Sequence, residues 1–246
     1  MKYVLEIENV SKFFHGLVAI DDLTIRVKPG QIYGIIGPNG AGKTTLFNCV
    51  TGIYTPEKGT IKYKGENITG MAPHKIAQRG VLRTFQNIRL FKEMSVAENI
   101  IAGCHTKSQQ KWYHSIIHTP FYKRDELRHW EKVEELMEFF GLTQYAHMQA
   151  GDLSYGNQRK IEMARALAAE PEILILDEPA AGLNENETIE LTGIIRKIKE
   201  MGLGIMMIEH DMDMVMALTD YITVINFGKE ISQGLPDFVQ GDPRVI

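Results

Sequence analysis

Short apolar runs occur towards both ends of the chain and predict buried strands. Gln31 to Ile36 and Ile173 to Leu176 are continuous runs of mostly β-branched or aliphatic residues, a pattern typical of buried strands. Residues 1–36 and 55–68 are rich in strand patterns, and strands alternate with helices again from residue 172 onward. This alternation predicts an α/β core with a parallel sheet and crossover helices.

The middle of the chain follows a helical spacing instead. Residues 96–140 are more polar, and near their end apolar residues recur at i, i+3, i+6, i+7 and i+10, which predicts an amphipathic helix. These positions are Trp130, Val133, Leu136, Met137 and Phe140. Gly141 is expected to end the helix. We therefore predict a helical lobe at residues 87–167, inserted into a core formed by residues 1–86 and 168–246.

A glycine-rich loop follows the first buried run. Residues 37–44 read Gly-Pro-Asn-Gly-Ala-Gly-Lys-Thr and match the phosphate-loop pattern G-x-x-x-x-G-K-[ST], with a predicted strand before it and a helix after it. Glycines let backbone N–H groups turn inward around phosphates. Lys43 can neutralise the β and γ phosphates, and the Thr44 hydroxyl can ligate magnesium. The predicted nucleotide site consists of Phe14, Gly37, Pro38, Asn39, Gly40, Ala41, Gly42, Lys43, Thr44 and Thr45.

Composition narrows the classes of protein to which the chain could belong. The formal net charge of the 246 residues is −4, which gives no reason to expect a nucleic-acid partner. Cys49 and Cys104 have no metal-site spacing, which suggests a reducing compartment, and both are expected to be buried or incidental. The N-terminus lacks the apolar segment of a signal peptide. No apolar run approaches the roughly 20 residues that cross a bilayer. We expect a soluble, cytoplasmic chain, so that any pore must come from another polypeptide.

Acidic residues end the second buried run. Asp177 and Glu178 follow Leu176, and the carboxyl edge of a parallel sheet is where a triphosphate and its metal bind. Asp177 is predicted to hold magnesium, directly or through water. Glu178 is predicted to orient or deprotonate the attacking water. Without the phosphate loop, the same pair would be read as an ordinary acidic strand end.

Three further residues fit triphosphate hydrolysis less specifically. His210 follows the predicted strand Gly204 to Ile208 and can approach the γ phosphate from a comparable sheet edge. The Gln86 amide can reach magnesium or the water. Phe14 can stack on adenine, although a core phenylalanine is nearly as good an interpretation and Phe13 is adjacent.

A second helix start carries another anion site. Residues 153–158 read Leu-Ser-Tyr-Gly-Asn-Gln. Ser154 is a good N-cap and Gly156 permits close backbone approach. The N-terminus of a helix attracts anions, yet one triphosphate cannot easily occupy two such sites within one domain. We therefore predict that two chains pack head to tail and share two nucleotides.

These residues resemble the ATP-binding cassette (ABC) ATPases along almost the entire chain. Residues 153–158 look like the LSGGQ signature, which in that family caps the γ phosphate held by the other subunit. The predicted signature residues are Leu153, Ser154, Tyr155, Gly156, Asn157 and Gln158. Tyr155 replaces the first glycine, and Asn184 stands where the family's D-loop often has aspartate. The resemblance implies an α/β P-loop core with an antiparallel β subdomain and an inserted helical subdomain.

Four segments narrow the resemblance to the ATPase subunits of bacterial branched-chain amino acid importers, in particular the longer of the two. They are residues 83–91, 153–159, 177–184 and 208–212. This similarity implies a magnesium-dependent ATPase in a homodimer or heterodimer, bound to membrane permease subunits on the inner face of the cell membrane and served indirectly by a solute-binding protein. Residues 86–98 would accept a coupling helix. The chain ends at Ile246, slightly short of the expected tail.

Other classes fit less well. His114 and His118 are four residues apart but lack the glutamate of the zinc-protease pattern. The methionines between 206 and 216 are expected to fill the core rather than bind a soft metal. A GTPase would need a guanine-reading Asn-Lys-x-Asp stretch, which is absent from the sequence. The remaining alternative is a soluble single-cassette ATPase clamp that is not linked to transport.

Overall fold

The computed structural model describes residues 2–105 and 120–245. The backbone forms two compact units, one made of Met1–Gln86 with Pro171–Ile246 and one made of Asn87–Glu170. His114 and His118 lie outside the described residues. In the described parts of the chain, no helix has both the length and the apolar composition needed to cross a membrane. The functional assignment of the segments as subdomains of one ATPase stays a prediction.

A six-stranded sheet forms the centre of the first unit. Its strands lie in the order β10-β9-β3-β8-β7-β6, and only the β9–β10 pair is antiparallel. Their bounds are β3 Ile32–Ile36, β6 Val81–Arg83, β7 Ile173–Asp177, β8 Gly204–Ile208, β9 Tyr221–Asn226 and β10 Lys229–Gly234. Every residue of β3, β7 and β8 is buried, as their uninterrupted apolar runs predict.

The register of this sheet brings the predicted catalytic segments to one edge. Ile208 of β8 pairs with Ile35 of β3 on one side and with Asp177 of β7 on the other. Because the three strands are parallel, the residues that follow them leave the sheet at the same edge. The glycine loop, Glu178 and His210 therefore begin from adjacent positions.

A four-stranded antiparallel sheet completes the first unit, in the order β2-β1-β4-β5. Its strands are β1 Leu5–Phe14, β2 Leu17–Val27, β4 Lys58–Tyr63 and β5 Glu66–Asn67. The buried side of this sheet contributes Ile7, Ile25 and Ile61 to a core that also contains Ile35 and Ile175 of the parallel sheet. Burial of each such side chain stabilises the fold by about 1.5–3 kcal/mol. The α/β fold with an antiparallel β portion is as predicted.

Helices connect the strands of the first unit. They are α1 Lys43–Val50, α2 Pro73–Arg79, α6 Glu185–Glu200, α7 Met212–Leu218 and α8 Pro236–Gln240. Asn184 starts α6 through a reciprocal capping box. Its side chain accepts a hydrogen bond from Glu187 N, and the Glu187 carboxylate accepts one from Asn184 N. This arrangement satisfies two N–H groups at the helix start.

The described residues of the second unit include the helices α3 Val96–Cys104, α4 Pro120–Phe139 and α5 Tyr155–Ala168. They pack against one another, and two short 3-10 turns, Thr143–Tyr145 and Ala150–Asp152, precede α5. Helix α4 ends just before Gly141, which adopts a φ of 66°. Val133, Leu136 and Met137 are buried as the helical spacing predicts, whereas Trp130 is 39% exposed. The predicted apolar face is therefore correct except at its first position.

The sulfur-bearing residues are mostly structural. Cys49 and Cys104 are buried thiols, as predicted. Met206, Met207 and Met214 are buried, but Met212 is 45% exposed at the start of α7. The prediction that the methionine cluster fills the core is therefore wrong for Met212, because its position in the first turn of α7 faces solvent.

Candidate active site

The glycine loop is shaped by two glycines that no other residue can replace. Gly37 has a φ of 148°, and a Cβ there would lie 2.0 Å from the Ile225 carbonyl oxygen. Gly42 has a φ of 107°, and its Cβ would lie 2.3 Å from the Ala19 carbonyl oxygen. The loop is thus pressed against β2 and β9.

Lys43 lies at the first position of α1 and is only 6% exposed. Its Nζ atom donates hydrogen bonds to the carbonyl oxygens of Gly37 and Pro38, at 2.7 and 2.9 Å. Burial lowers the pKa of this amine, while the negative charges of Glu178 and Asp177 raise it. The ammonium group is therefore held at the mouth of the loop by weak neutral partners, which phosphate oxygens can replace.

Glu178 is the point at which the three predicted catalytic residues meet. The Gln86 amide Nε2 donates to Glu178 Oε2 at 2.6 Å, and His210 Nε2 lies 3.0 Å from Glu178 Oε1. Glu178 has a left-handed φ of 49°, which costs a non-glycine residue about 1–2 kcal/mol. A hydrogen bond from Glu178 N to Ile208 O holds this conformation. In this conformation the carboxylate contacts both Gln86 and His210.

Asp177 has a partner that the sequence did not predict. Arg83, the last residue of β6, donates from Nη2 to Asp177 Oδ2 at 2.5 Å and from Nη1 to Asn48 Oδ1 of α1 at 2.7 Å. Both members of the ion pair are 6% exposed. A buried carboxylate needs such a partner, because an unpaired charge in this environment would be strongly destabilising.

Three of the predicted site residues carry oxygen atoms of the types that magnesium prefers. Thr44 and Asp177, with the amide of Gln86, offer hydroxyl, carboxylate and carbonyl oxygens, which hard divalent cations prefer. Among the described residues there is no group of three or more histidine, cysteine or acidic side chains suited to a metal. This donor set matches magnesium, which is commonly held by one or two carboxylates together with substrate phosphates.

Glu209 is a second residue that the sequence analysis missed. It is 5% exposed. Its Oε1 accepts a hydrogen bond from Ala180 N at 2.7 Å, and its Oε2 accepts one from His210 N at 2.9 Å. The buried carboxylate thus joins the loop after Glu178 to the segment that carries His210.

Phe14 is the last residue of β1 and pairs with Leu17 of β2. Its ring makes an edge contact with Tyr54 at a centroid distance of 5.1 Å, and the Lys12 ammonium lies 5.0 Å from the ring centroid. Phe14 remains partly exposed. Its stacking on adenine stays a prediction.

The second helix start lies in the second unit, at the beginning of α5. Ser154 Oγ accepts a hydrogen bond from Asn157 N at 3.4 Å, which makes Ser154 the N-cap as predicted. Gln158 Nε2 donates to Leu153 O at 2.8 Å. Gly156 is buried, whereas Tyr155 is 41% exposed with the Arg159 guanidinium 5.8 Å from its ring. The segment therefore presents a serine hydroxyl and an aromatic ring to solvent.

Comparison with known proteins assigns these elements to a family. Residues 20–181, which include both the glycine loop and the start of α5, match the family described as ABC transporter. The chain belongs to the ABC transporter family.

Individual relatives are similar in sequence to this ABC chain over nearly its whole length. It is 43% identical to the high-affinity branched-chain amino acid transport ATP-binding protein BraF of Pseudomonas aeruginosa and 40% identical to LivG, which has the same description, of Escherichia coli; each match covers 99% of this chain and 96% of the relative. A nucleotide-free ATP-binding cassette from an ABC transporter superposes with a TM-score of 0.85 at 31% identity, covering 99% of this chain and 97% of the other. An ADP-bound cassette superposes with a TM-score of 0.84 at 30% identity, covering 100% and 97%.

The predicted family and fold class are thereby confirmed, and nucleotide binding and ATP hydrolysis follow from membership among the ABC ATPases. The roles of the individual site residues stay predictions. The structure brings Gln86, Glu178 and His210 together at one carboxylate. For Arg83 and Glu209, the sequence offered only the pattern of a charged residue at the end of an apolar run. Nothing in the sequence indicated which groups either side chain would contact.

Proposed function

We propose that this chain is the ATP-hydrolysing subunit of an importer for branched-chain or closely related amino acids. The row formed by Gln86, Glu178 and His210 beside the Lys43 loop is the observation that carries the catalytic half of the proposal. The transport half is supported by BraF and LivG, whose descriptions name branched-chain amino acid transport and which match this chain from end to end.

Each site residue has a chemical task in this proposal. Lys43 neutralises the β and γ phosphates, together with the N–H groups of the loop and of Thr44 and Thr45. Glu178 accepts hydrogen bonds from Gln86 and His210, and each carboxylate oxygen retains a further lone pair for the attacking water. Glu178 thus orients that water and takes its proton, while Gln86 and His210 fix the carboxylate. Phe14 stacks on the base.

Thr44, Asp177 and Gln86 would hold magnesium. When bound, this ion would offset negative charge on the phosphate oxygens.

Turnover requires a second ATPase subunit in this proposal, either a second copy or a related chain. Ser154 and the residues around it, Leu153 to Gln158, cap the nucleotide held by the partner through the N–H groups of α5. ATP favours the closed dimer, and hydrolysis with phosphate release returns it to the open state.

The membrane partner is proposed to dock on the segment around Phe91. Phe91 is 54% exposed, and the Arg165 guanidinium lies 5.6 Å from its ring. Arg165 also donates to the Arg89 carbonyl oxygen. An exposed aromatic ring supported by arginine is typical of interface centres. The chain would then act at the inner face of the cell membrane, with the solute selected by permease and solute-binding subunits, and without a nucleic-acid partner.

Affinity purification from detergent-solubilised membranes tests this proposal. We expect integral membrane subunits and a second ABC ATPase subunit to co-purify with the tagged chain, and cells lacking the chain to lose uptake of labelled leucine. Recovery of the chain from the soluble fraction alone, with leucine uptake unchanged, would instead favour the ATPase clamp.

A further inference from the structure

Arg83 joins the two elements that carry the proposed magnesium ligands. Its guanidinium donates to Asp177 at the end of β7 and to Asn48 of α1, the helix that begins at Lys43 and Thr44. The planar group also lies 5.6 Å from the Phe47 ring centroid and 5.2 Å from that of Phe85. Aromatic faces and two acceptors therefore fix the arginine in one position.

The Arg83–Asp177 pair places a permanent positive charge on a predicted magnesium ligand. Arginine does not lose its proton in proteins, so this charge is present with or without a bound cation. The pair is buried at 6% exposure of each side chain, where charge interactions are screened far less than at the surface. A divalent cation at Asp177 must therefore approach a carboxylate that is already paired with a fully charged guanidinium.

We propose that Arg83 is the resident counter-cation of Asp177. It neutralises the carboxylate when no divalent cation is bound and thereby sets the magnesium affinity of the nucleotide site lower than that of an unpaired aspartate. This inference rests on the proposed function, because it takes Asp177 to be a magnesium ligand. Arg83 is a positioning residue in this proposal, because it acts through Asp177.

The proposal fixes the sign of a linkage effect. Without Arg83, the cation-free state contains a buried carboxylate that has lost its charge partner, and magnesium relieves that cost. Removing the positive charge should therefore strengthen magnesium binding while weakening the cation-free fold. A purely structural arginine would lower stability without changing the contribution of magnesium to nucleotide affinity.

The test measures ADP binding by calorimetry in excess magnesium and in excess EDTA, and compares the ratio of the two dissociation constants between variants. Arg83→Met should raise the ratio of the EDTA value to the magnesium value about tenfold, the size of effect that a neighbouring charge has on an ionisable site. Arg83→Lys keeps the positive charge but loses the planar guanidinium group. It should leave the ratio within about twofold of the ratio for the unchanged chain.

Arg79→Met is the matched control, because it removes an arginine from the adjacent helix α2 that pairs with Glu66 on the exposed surface. If Arg83→Met does not fold, Arg83→Gln provides the same charge change with an amide that can still donate to Asp177, and its ratio should also rise. A ratio in the neutral variants equal to that of Arg79→Met would overturn the proposal, and so would a fall. An unchanged chain that binds ADP equally well in magnesium and EDTA would overturn both this inference and the proposed magnesium site.

Discussion

Two helix starts in this molecule are built differently although both are expected to meet phosphate. At α1 the N-cap is Gly42 in a left-handed conformation, and among the described residues no side chain caps the helix. At α5 the N-cap is Ser154, with a φ of −55° and a ψ of 154°, and its own hydroxyl accepts the N–H of Asn157. The first start leaves its N–H groups to a ligand, whereas the second has already satisfied one of them.

Charge separates the two starts further. Lys43 stands at the α1 start with Asp177 and Glu178 near enough to affect its pKa. The first turn of α5, residues 155–158, contains no acidic residue, and Glu162 further along the helix is 3% exposed and forms an ion pair with buried Arg159. The α1 start thus combines cation, acid and open N–H groups, as a reacting centre must. The α5 start carries a hydroxyl and a helix dipole, which suffice to recognise an anion held elsewhere.

Glu178→Gln removes the proposed general base near the α1 start and has the largest expected effect. The amide cannot take a proton from water, so the turnover number should fall about 10²–10⁴-fold, while ATP affinity remains within about twofold because Lys43 is untouched. Steady-state phosphate release and calorimetric titration measure the two quantities. Glu200→Gln, at the exposed end of α6, is the control, and turnover by Glu178→Gln equal to that control would remove Glu178 from its role.

Lys43→Ala tests whether the α1 start binds phosphate through its charge. The loss of a charged hydrogen-bond donor should weaken ATP and ADP about 10- to 100-fold. Lys75→Ala on the exposed surface of α2 should bind like the unchanged chain. Calorimetry at equal magnesium concentration compares them, and an unaltered affinity for Lys43→Ala would contradict the assignment of the loop.

Mixing two inactive variants tests whether the two starts act on one nucleotide across an interface. Ser154→Arg places a bulky cation at the α5 start, and Lys43→Ala disables the α1 start. In an equal mixture, about a quarter of the activity should return, because half of random dimers combine the variants and each then contains one intact composite site. Phosphate release from each variant alone provides the baseline. A mixture no more active than its components, with dimers verified by mass, would count against shared sites.

Thiol labelling tests ADP binding at the α1 start, and its expected effect is the smallest of these predictions. Burial raises the pKa of Cys49, on α1, to about 11, so its alkylation should be slow at pH 8 and should rise about tenfold per pH unit as the thiolate forms. ADP holds the α1 start and should slow the alkylation of Cys49 more than that of buried Cys104 on α3. Equal protection of both thiols in a mass-spectrometric time course would show that ADP does not single out α1.

Sequence patterns predicted the structural features that depend on residues close together in the chain. The buried strands, the glycine loop and the Ser154 cap follow from apolar runs, motif spacing and cap chemistry. The ion pair of Arg83 with Asp177 depends instead on β6 lying beside β7, where Arg83 pairs with Ile175. Those strands are about 90 residues apart in sequence, and local propensity does not encode such pairing.

The most direct test of the account is specific ATPase activity measured during dilution, on the chain alone or with its co-purified ATPase partner, with the molecular mass determined at each concentration. The account predicts that activity per chain falls in proportion to the dimer fraction, because the α1 start of one chain needs the α5 start of another. Constant activity per chain at a concentration where only monomers are detected would contradict it.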